Sequence, residues 1–308
     1  MSRRFTSIAI AVCFLIAGSA AADTEIHKKH RFDARPGATV VVDVSFHTVE
    51  VTAQQGSAVD VTVDIVVKGD GSSAANVAND LTPVFEEQGN RLVIRSTRKK
   101  GWNWKHVKAK GKVTIQMPPD MNLTVDSSSG SAKISGDLGK SVVRFDASSG
   151  SLTVDGAMRE LHSDLSSGSV KATVSRTLES FTADSSSGSV RLTGGAGAAK
   201  VSTSSGSIHI SGLVGEGKFD SSSGSIKAQW NAIPPDTTVR ASASSGSVSL
   251  WFPQSTAISG SVEVSSGGLQ SDFPAMVRGK KKLEFDGGPD AIDVHVSTSS
   301  GSVKLLTN

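Results

Sequence analysis

The chain has one cysteine in 308 residues, no tyrosine, four tryptophans and nine prolines. The cysteine, Cys13, lies inside the apolar run Ile8–Ile16. The rest of the chain therefore makes no disulfide and falls outside the stapled class of secreted domains. Its stability must come from a buried core, which a chain of this length can supply. The scarcity of exposed-type aromatics argues against a long stacking groove for neutral sugars. No stretch beyond the first 22 residues approaches 18 consecutive apolar positions, which excludes a later membrane-spanning helix. Charge of one sign is also lacking. There are 32 basic and 29 acidic residues, a net +3, and without Arg3 and Arg4 the count is 30 against 29. No global pull on nucleic acid follows from that balance. Catalytic signatures are missing too, since neither G-x-S-x-G nor H-E-x-x-H occurs. Gly139-Lys140-Ser141 imitates the end of a phosphate loop, but position 134 is Ile where that loop needs glycine.

The beginning of the chain reads as a targeting segment. Arg3 and Arg4 precede the apolar run, and Gly18-Ser19-Ala20-Ala21-Ala22 supplies small residues for cleavage. Residues 1–22 are expected to be a secretory signal, too short in its apolar part to anchor in a bilayer. Residues 23–35 follow as a flexible N-terminus. The expected location is export, to the periplasm first, with the cell surface or secretion as alternatives.

Residues 36–122 carry the alternation of a half-buried antiparallel sheet, clearest in Val59-Asp60-Val61-Thr62-Val63-Asp64-Ile65. One helix interrupts it between Ser72 and Glu87, where Ala74, Val77, Leu81 and Val84-Phe85 recur at helical spacing. From residue 123 to 308 the pattern becomes a repeat. Turn glycines stand at 130, 150, 168, 188, 206, 224, 246, 267 and 301, at steps of 20, 18, 20, 18, 18, 22, 21 and 34 residues. After each turn comes a small, apolar, polar, apolar pattern, as in Ser189-Val190-Arg191-Leu192 and Ser207-Ile208-His209-Ile210. A second short strand precedes each turn. The predicted fold is all-β: an N-terminal antiparallel β domain with one short helix, leading into a parallel β-solenoid of about nine coils. Glycine is expected at the corner because it reaches positive φ, and the neighbouring serines because they bond to nearby backbone. Asp126, Asp146, Asp164, Asp184 and Asp220, four places before their glycines, are expected to close the turn. The polar column Lys133, Lys171, Arg191, His209, Lys227 and Lys304 is expected to offset those acids, giving a charge-balanced surface.

The repeated Ser-Ser-Gly-Ser step resembles the bacterial "putative adhesin" β-strand-repeat family. The ending Asp293-Val294-His295-Val296-Ser297-Thr298-Ser299-Ser300-Gly301-Ser302-Val303-Lys304-Leu305 carries the likeness most clearly. The resemblance spans residues 36 to 308. It implies a secreted or envelope-located β-solenoid without an established enzymatic activity. The first repeat-like step, Ser45-Phe46-His47-Thr48-Val49, departs from the pattern by lacking the glycine.

Candidate chemistry is sparse. A serine that recurs at every corner reads as a structural residue, whereas a nucleophile is singular. His27 and His30 are weighed as a metal pair against a basic terminus, and the terminus is preferred. The Asp column offers too few ligands per site for calcium. No catalytic, metal or cofactor site is expected. The one non-repeating feature is the basic segment Arg98, Lys99, Lys100, Trp102, Trp104, Lys105, Lys108, Lys110 and Lys112. It is a candidate site for anionic lipid or polysaccharide, with the tryptophans at the interface. The expected function is an exported, non-enzymatic structural or interaction protein of the cell envelope, adhesin-like. The alternatives are an envelope accessory or sensing protein docking through the basic segment, and a hydrolase with an unrecognised site.

Overall fold

The computed structural model describes residues 23–69, 71–96 and 107–308. The signal-like segment and residues 97–106 lie outside them. The chain divides into two compact units, 1–150 and 151–308.

The first unit holds β1 (Thr24–Asp33), β2 (Thr39–Val44), β3 (Thr48–Ala53), β4 (Ala58–Lys68), α1 (Gly71–Leu81), β5 (Val84–Gln88), β6 (Arg91–Arg95), β7 (Lys108–Met117), β8 (Asn122–Ser127), β9 (Ala132–Asp137) and β10 (Val142–Ser149). Its strands form two layers, β1-β4-β7-β3-β9 and β10-β8-β2-β6-β5. The pairs β1–β4, β4–β7 and β5–β6 are antiparallel. Parallel pairing is already present upstream of residue 123, because β2 lies between β6 and β8 and β3 lies between β7 and β9. The stretch expected to be flexible contains β1, which pairs with β4 along its whole length.

The helix is shorter than the periodicity of 72–87 predicts. It stops at Leu81, and Val84 and Phe85 belong to β5. Pro83 has no N–H and drives the residue before it out of the helical region. The Thr82 hydroxyl donates back to the Ala78 carbonyl at 2.8 Å, closing the last turn. Phe85, freed from the helix, stacks on His30 of the facing layer with ring centroids 4.7 Å apart.

The second unit contains β11 (Leu152–Ala157), β12 (Glu160–Ser167), β13 (Val170–Val174), β14 (Leu178–Ser187), β15 (Val190–Thr193), β16 (Ala196–Thr203), β17 (Ile208–Leu213), β18 (Glu216–Ser221), β19 (Ile226–Trp230), β20 (Thr238–Ser245), β21 (Val248–Phe252), β22 (Ile258–Ser266), β23 (Leu269–Ser271), β24 (Met276–Arg278), β25 (Lys282–Phe285), β26 (Ile292–Ser300) and β27 (Val303–Thr307). One layer runs β11-β13-β15-β17-β19-β21-β27-β23 and the other β12-β14-β16-β18-β20-β26-β22-β25-β24. Each coil thus gives one strand to each layer, as the two-strand repeat predicts.

Alternate residues point inward and stack from coil to coil. One column runs Leu161, Phe181, Ala199, Gly217, Val239 and Val294. Its large and small members complement the neighbouring column, where Phe219 follows Val201. Burying each large member contributes about 1.5–3 kcal/mol. Trp230 is fully buried, stacks on Phe252 at 4.7 Å and donates its indole N–H to the Gly215 carbonyl at 2.7 Å. Gly217 leaves the space for it, since a Cβ there would lie 2.7 Å from Trp230 Cζ2.

The coil order departs from the chain order. β26 lies between β20 and β22, and β27 between β21 and β23. The last coil is inserted beneath the one that precedes it in sequence. The long 34-residue step before Gly301 is thereby explained: the chain must pass through the β24–β25 hairpin and return.

Candidate binding face of the coils

The corner is held by hydroxyls at two positions. Three residues before the glycine, a buried hydroxyl accepts the glycine N–H: Ser127 from Gly130 at 2.8 Å, Thr203 from Gly206 at 3.0 Å, Ser221 from Gly224 at 2.9 Å. The same hydroxyls donate to the glycine carbonyl of the coil below, Thr203 to Gly188 and Ser221 to Gly206, both at 3.4 Å. The Asp one place earlier stands at an outward position of its strand. One place after the glycine, the serine hydroxyl accepts the N–H of its counterpart in the next coil, Ser151 from Ser169 and Ser169 from Ser189, both at 3.2 Å. The reason for glycine is also sharper than positive φ. A Cβ on Gly206 would lie 1.8 Å from the Gly188 carbonyl oxygen, so the corners are stacked too closely for any side chain.

His47 takes the glycine place in the first coil. Register puts it beside Gly130 on one side and Gly111 on the other. A Cβ on Gly111 would lie 2.3 Å from the imidazole, so that glycine makes the room. His47 is fully buried, and neither ring nitrogen meets a partner at full hydrogen-bond geometry. Burial pushes its pKa down to about 4, against a smaller upward pull from the Leu81 backbone carbonyl. The sequence signal was the missing glycine in that step.

Charge is distributed unevenly over the second unit. Its outward columns do not balance one another, because the Asp column and the Lys/Arg column belong to different layers. On the layer of β12–β20, Asp164 and Asp184 are neighbours, and Asp220 follows beyond Ser202. Lys200, Lys218 and Arg240 stand on β16, β18 and β20 of that layer, two places earlier in register than the Asp column. That face is mixed. On the opposite layer, Lys171, Arg191, His209 and Lys227 are consecutive neighbours, and Lys304 follows beyond Ser249. The charge-balanced surface expected from sequence is therefore confined to one layer. In the first unit, Asp126 lies beside Asp43, and its carboxyl is pushed upward by partial burial and then by that neighbour.

Of the nine candidate residues, Arg98, Lys99, Lys100, Trp102, Trp104 and Lys105 lie outside the described residues. Lys108, Lys110 and Lys112 occupy alternate positions of β7, on its outward face. Lys112 pairs with Glu50 at 2.8 Å, while Lys108 and Lys110 are exposed. His27 and His30 do not converge. His27 contacts Asp64 on the outer face, and His30 packs on Phe85 inside. No group of three or more potential metal ligands occurs among the described residues. No described helix is long and apolar enough to cross a membrane.

The sequence profile of the family described as Toastrack DUF4097 matches residues 40–306. Among solved structures, a "putative lipid binding protein" from Parabacteroides distasonis is similar over 91% of this chain and 96% of its own, at 14% identity and a TM-score of 0.51. A "putative adhesin" from Bacteroides fragilis covers 91% and 97% at 13% identity, with a TM-score of 0.44. Another from Parabacteroides distasonis covers 90% and 96% at 16% identity, also at 0.44. No curated protein matches the chain.

Proposed function

The chain belongs to the Toastrack DUF4097 family, and on that premise we propose that it is an exported, non-enzymatic interaction protein of the bacterial cell envelope, adhesin-like in role. The observation that carries this reading is the use made of the corner hydroxyls. Thr203 and Ser221 each hold two coils together, and Ser151 and Ser169 accept backbone N–H groups from the next coil. These serines and threonines serve the stack, and the outward columns are left for contact with a partner. The signal-like residues 1–22 support export, with the periplasm as the first location and the surface or secretion as alternatives.

Affinity capture from the native envelope tests the reading. A discrete envelope component retained by the purified chain supports it. Turnover in a broad esterase and glycosidase screen, tracking with the purified protein, overturns it in favour of a hydrolase. A second reading is docking through the basic segment, favoured by the exposure of Lys108 and Lys110 at the start of β7. Reversing Lys99, Lys100, Lys105 and Lys108 to Glu is expected to abolish binding to anionic vesicles. Unchanged binding removes that reading.

A further inference from the structure

The Lys/Arg row of the second unit has no carboxylate paired to it among the described residues. Lys171, Arg191, His209 and Lys227 stand on β13, β15, β17 and β19 in exact register, so adjacent cations are roughly one strand spacing, about 4.8 Å, apart. Among the described residues no carboxylate pairs with Lys171, Arg191, Lys227 or Lys304. Along the outward positions of these strands the one acid is Asp155, at the far end on β11. Like charges held this close cost energy unless an anion covers them. The His209 ring shows the effect: its pKa is lowered by partial burial and then by Arg191 and Lys227.

The middle of the row also borders a groove. Arg191, His209 and Lys227 line a groove of about 310 Å³ whose one wall is Ser189, Ser207 and Ser225. The other side carries Thr193, Ser211 and Gln229, two residues further along the same strands. A straight cationic row is therefore bordered by two rows of neutral hydrogen-bonding groups. We propose that this groove binds a linear acidic polysaccharide, its carboxylate, sulfate or phosphate groups meeting the cations and its hydroxyls meeting the flanking rows. The inference rests on the reading of the chain as an interaction protein and assigns that role a surface distinct from the basic segment.

The face itself selects among polyanions. Docking on a bilayer calls for large apolar side chains that enter the interface. The large exposed apolar residues described are Val84, Met276 and Val277, all on other strands. Single-stranded nucleic acid calls for aromatic platforms under its bases, and β13 to β19 offer none on this face. A sugar chain needs only the spacing, the charge and the hydroxyls, which are present. Recognition by ion pairs also removes the objection that the chain is poor in aromatics.

The test is titration of the full chain with polygalacturonate, its fully methyl-esterified form, oligo-dT of equal charge, and phosphatidylglycerol vesicles. Polygalacturonate is expected to bind in a salt-sensitive way, and the neutral ester not to bind. Lys171→Glu with Lys227→Glu is expected to weaken binding about tenfold. Lys200→Glu with Lys218→Glu, the same charge change on the mixed layer, is expected to leave affinity within about twofold. The milder pair Lys171→Gln and Lys227→Gln, checked by circular dichroism, separates lost binding from lost folding. Equal losses in the two reversed variants, equal binding of the methyl ester, or tighter binding of oligo-dT or vesicles overturns the proposal. A chain that captures an envelope component yet ignores polygalacturonate keeps the proposed function and loses this inference.

Discussion

At the scale of single residues, three buried polar groups behave differently because their partners differ. Thr203 satisfies the Gly206 N–H and the Gly188 carbonyl together. Thr203→Val keeps the volume and orphans both, so it is expected to cost about 1–3 kcal/mol in denaturant unfolding. Ser163 is buried with no partner for its hydroxyl. Ser163→Ala is expected to be neutral or to stabilise by up to about 1 kcal/mol, read by the same unfolding curves. His47 is neutral when folded, with a pKa of about 4 against 6.5 for the free side chain. The unfolded chain therefore binds its proton first. The stability that His47 contributes is complete above pH 6.5 and is lost as the pH falls towards 4, by about 3 kcal/mol in all. His47→Asn is expected to flatten that part of the stability profile. Little of this was legible beforehand. The sequence marks which corner lacks glycine, but only the register shows that an imidazole lies between two glycines there. The hydroxyl three places before the glycine escaped notice because Ala147, Leu165 and Ala243 hold that place in other coils.

At the scale of elements, the apolar columns were readable and the order of coils was not. Small-apolar-polar-apolar after each glycine fixes which side chains enter the core, because a strand alternates faces. Val190, Leu192, Ile208 and Ile210 are buried as that pattern requires. Partners across strands depend on long-range register, which a local pattern does not encode. The helix end shows the converse, since Pro83 was a local signal that outweighs the periodicity of Val84 and Phe85. Two predictions belong here. Gly217→Ala forces a Cβ towards Trp230 and Phe219 and is expected to cost about 1–3 kcal/mol in thermal or denaturant unfolding. Removing residues 289–308 takes out an inner coil, not an edge. Limited proteolysis is then expected to cut within β22 to β25, whereas the intact chain resists there.

At the scale of the whole molecule, the composition gave a nearly neutral chain, and the fold sorts that neutrality into unlike surfaces. The first unit alternates signs across strands, with Asp64 opposite Lys112, Lys112 bonded to Glu50, and Glu50 opposite Lys133. In the second unit one layer mixes acids and bases while the other carries bases nearly alone. The sequence listed both columns. It did not show that they lie on opposite layers, because the corner between them turns the chain through the thickness of the stack. The candidate surface thus became visible only with the register. The basic segment stood out in sequence because it does not repeat, and a repeating site is hard to notice for the opposite reason.

The inserted coil has a consequence for how the chain comes into being. Synthesis delivers a polypeptide from its first residue to its last. Most coils of the second unit can be laid down in that direction as they emerge. β22 and β23 cannot take their final neighbours until β26 and β27 have arrived and entered between them and β20–β21. Completion is therefore reserved for the last two strands described, and a product cut short before them is left open at an inner seam.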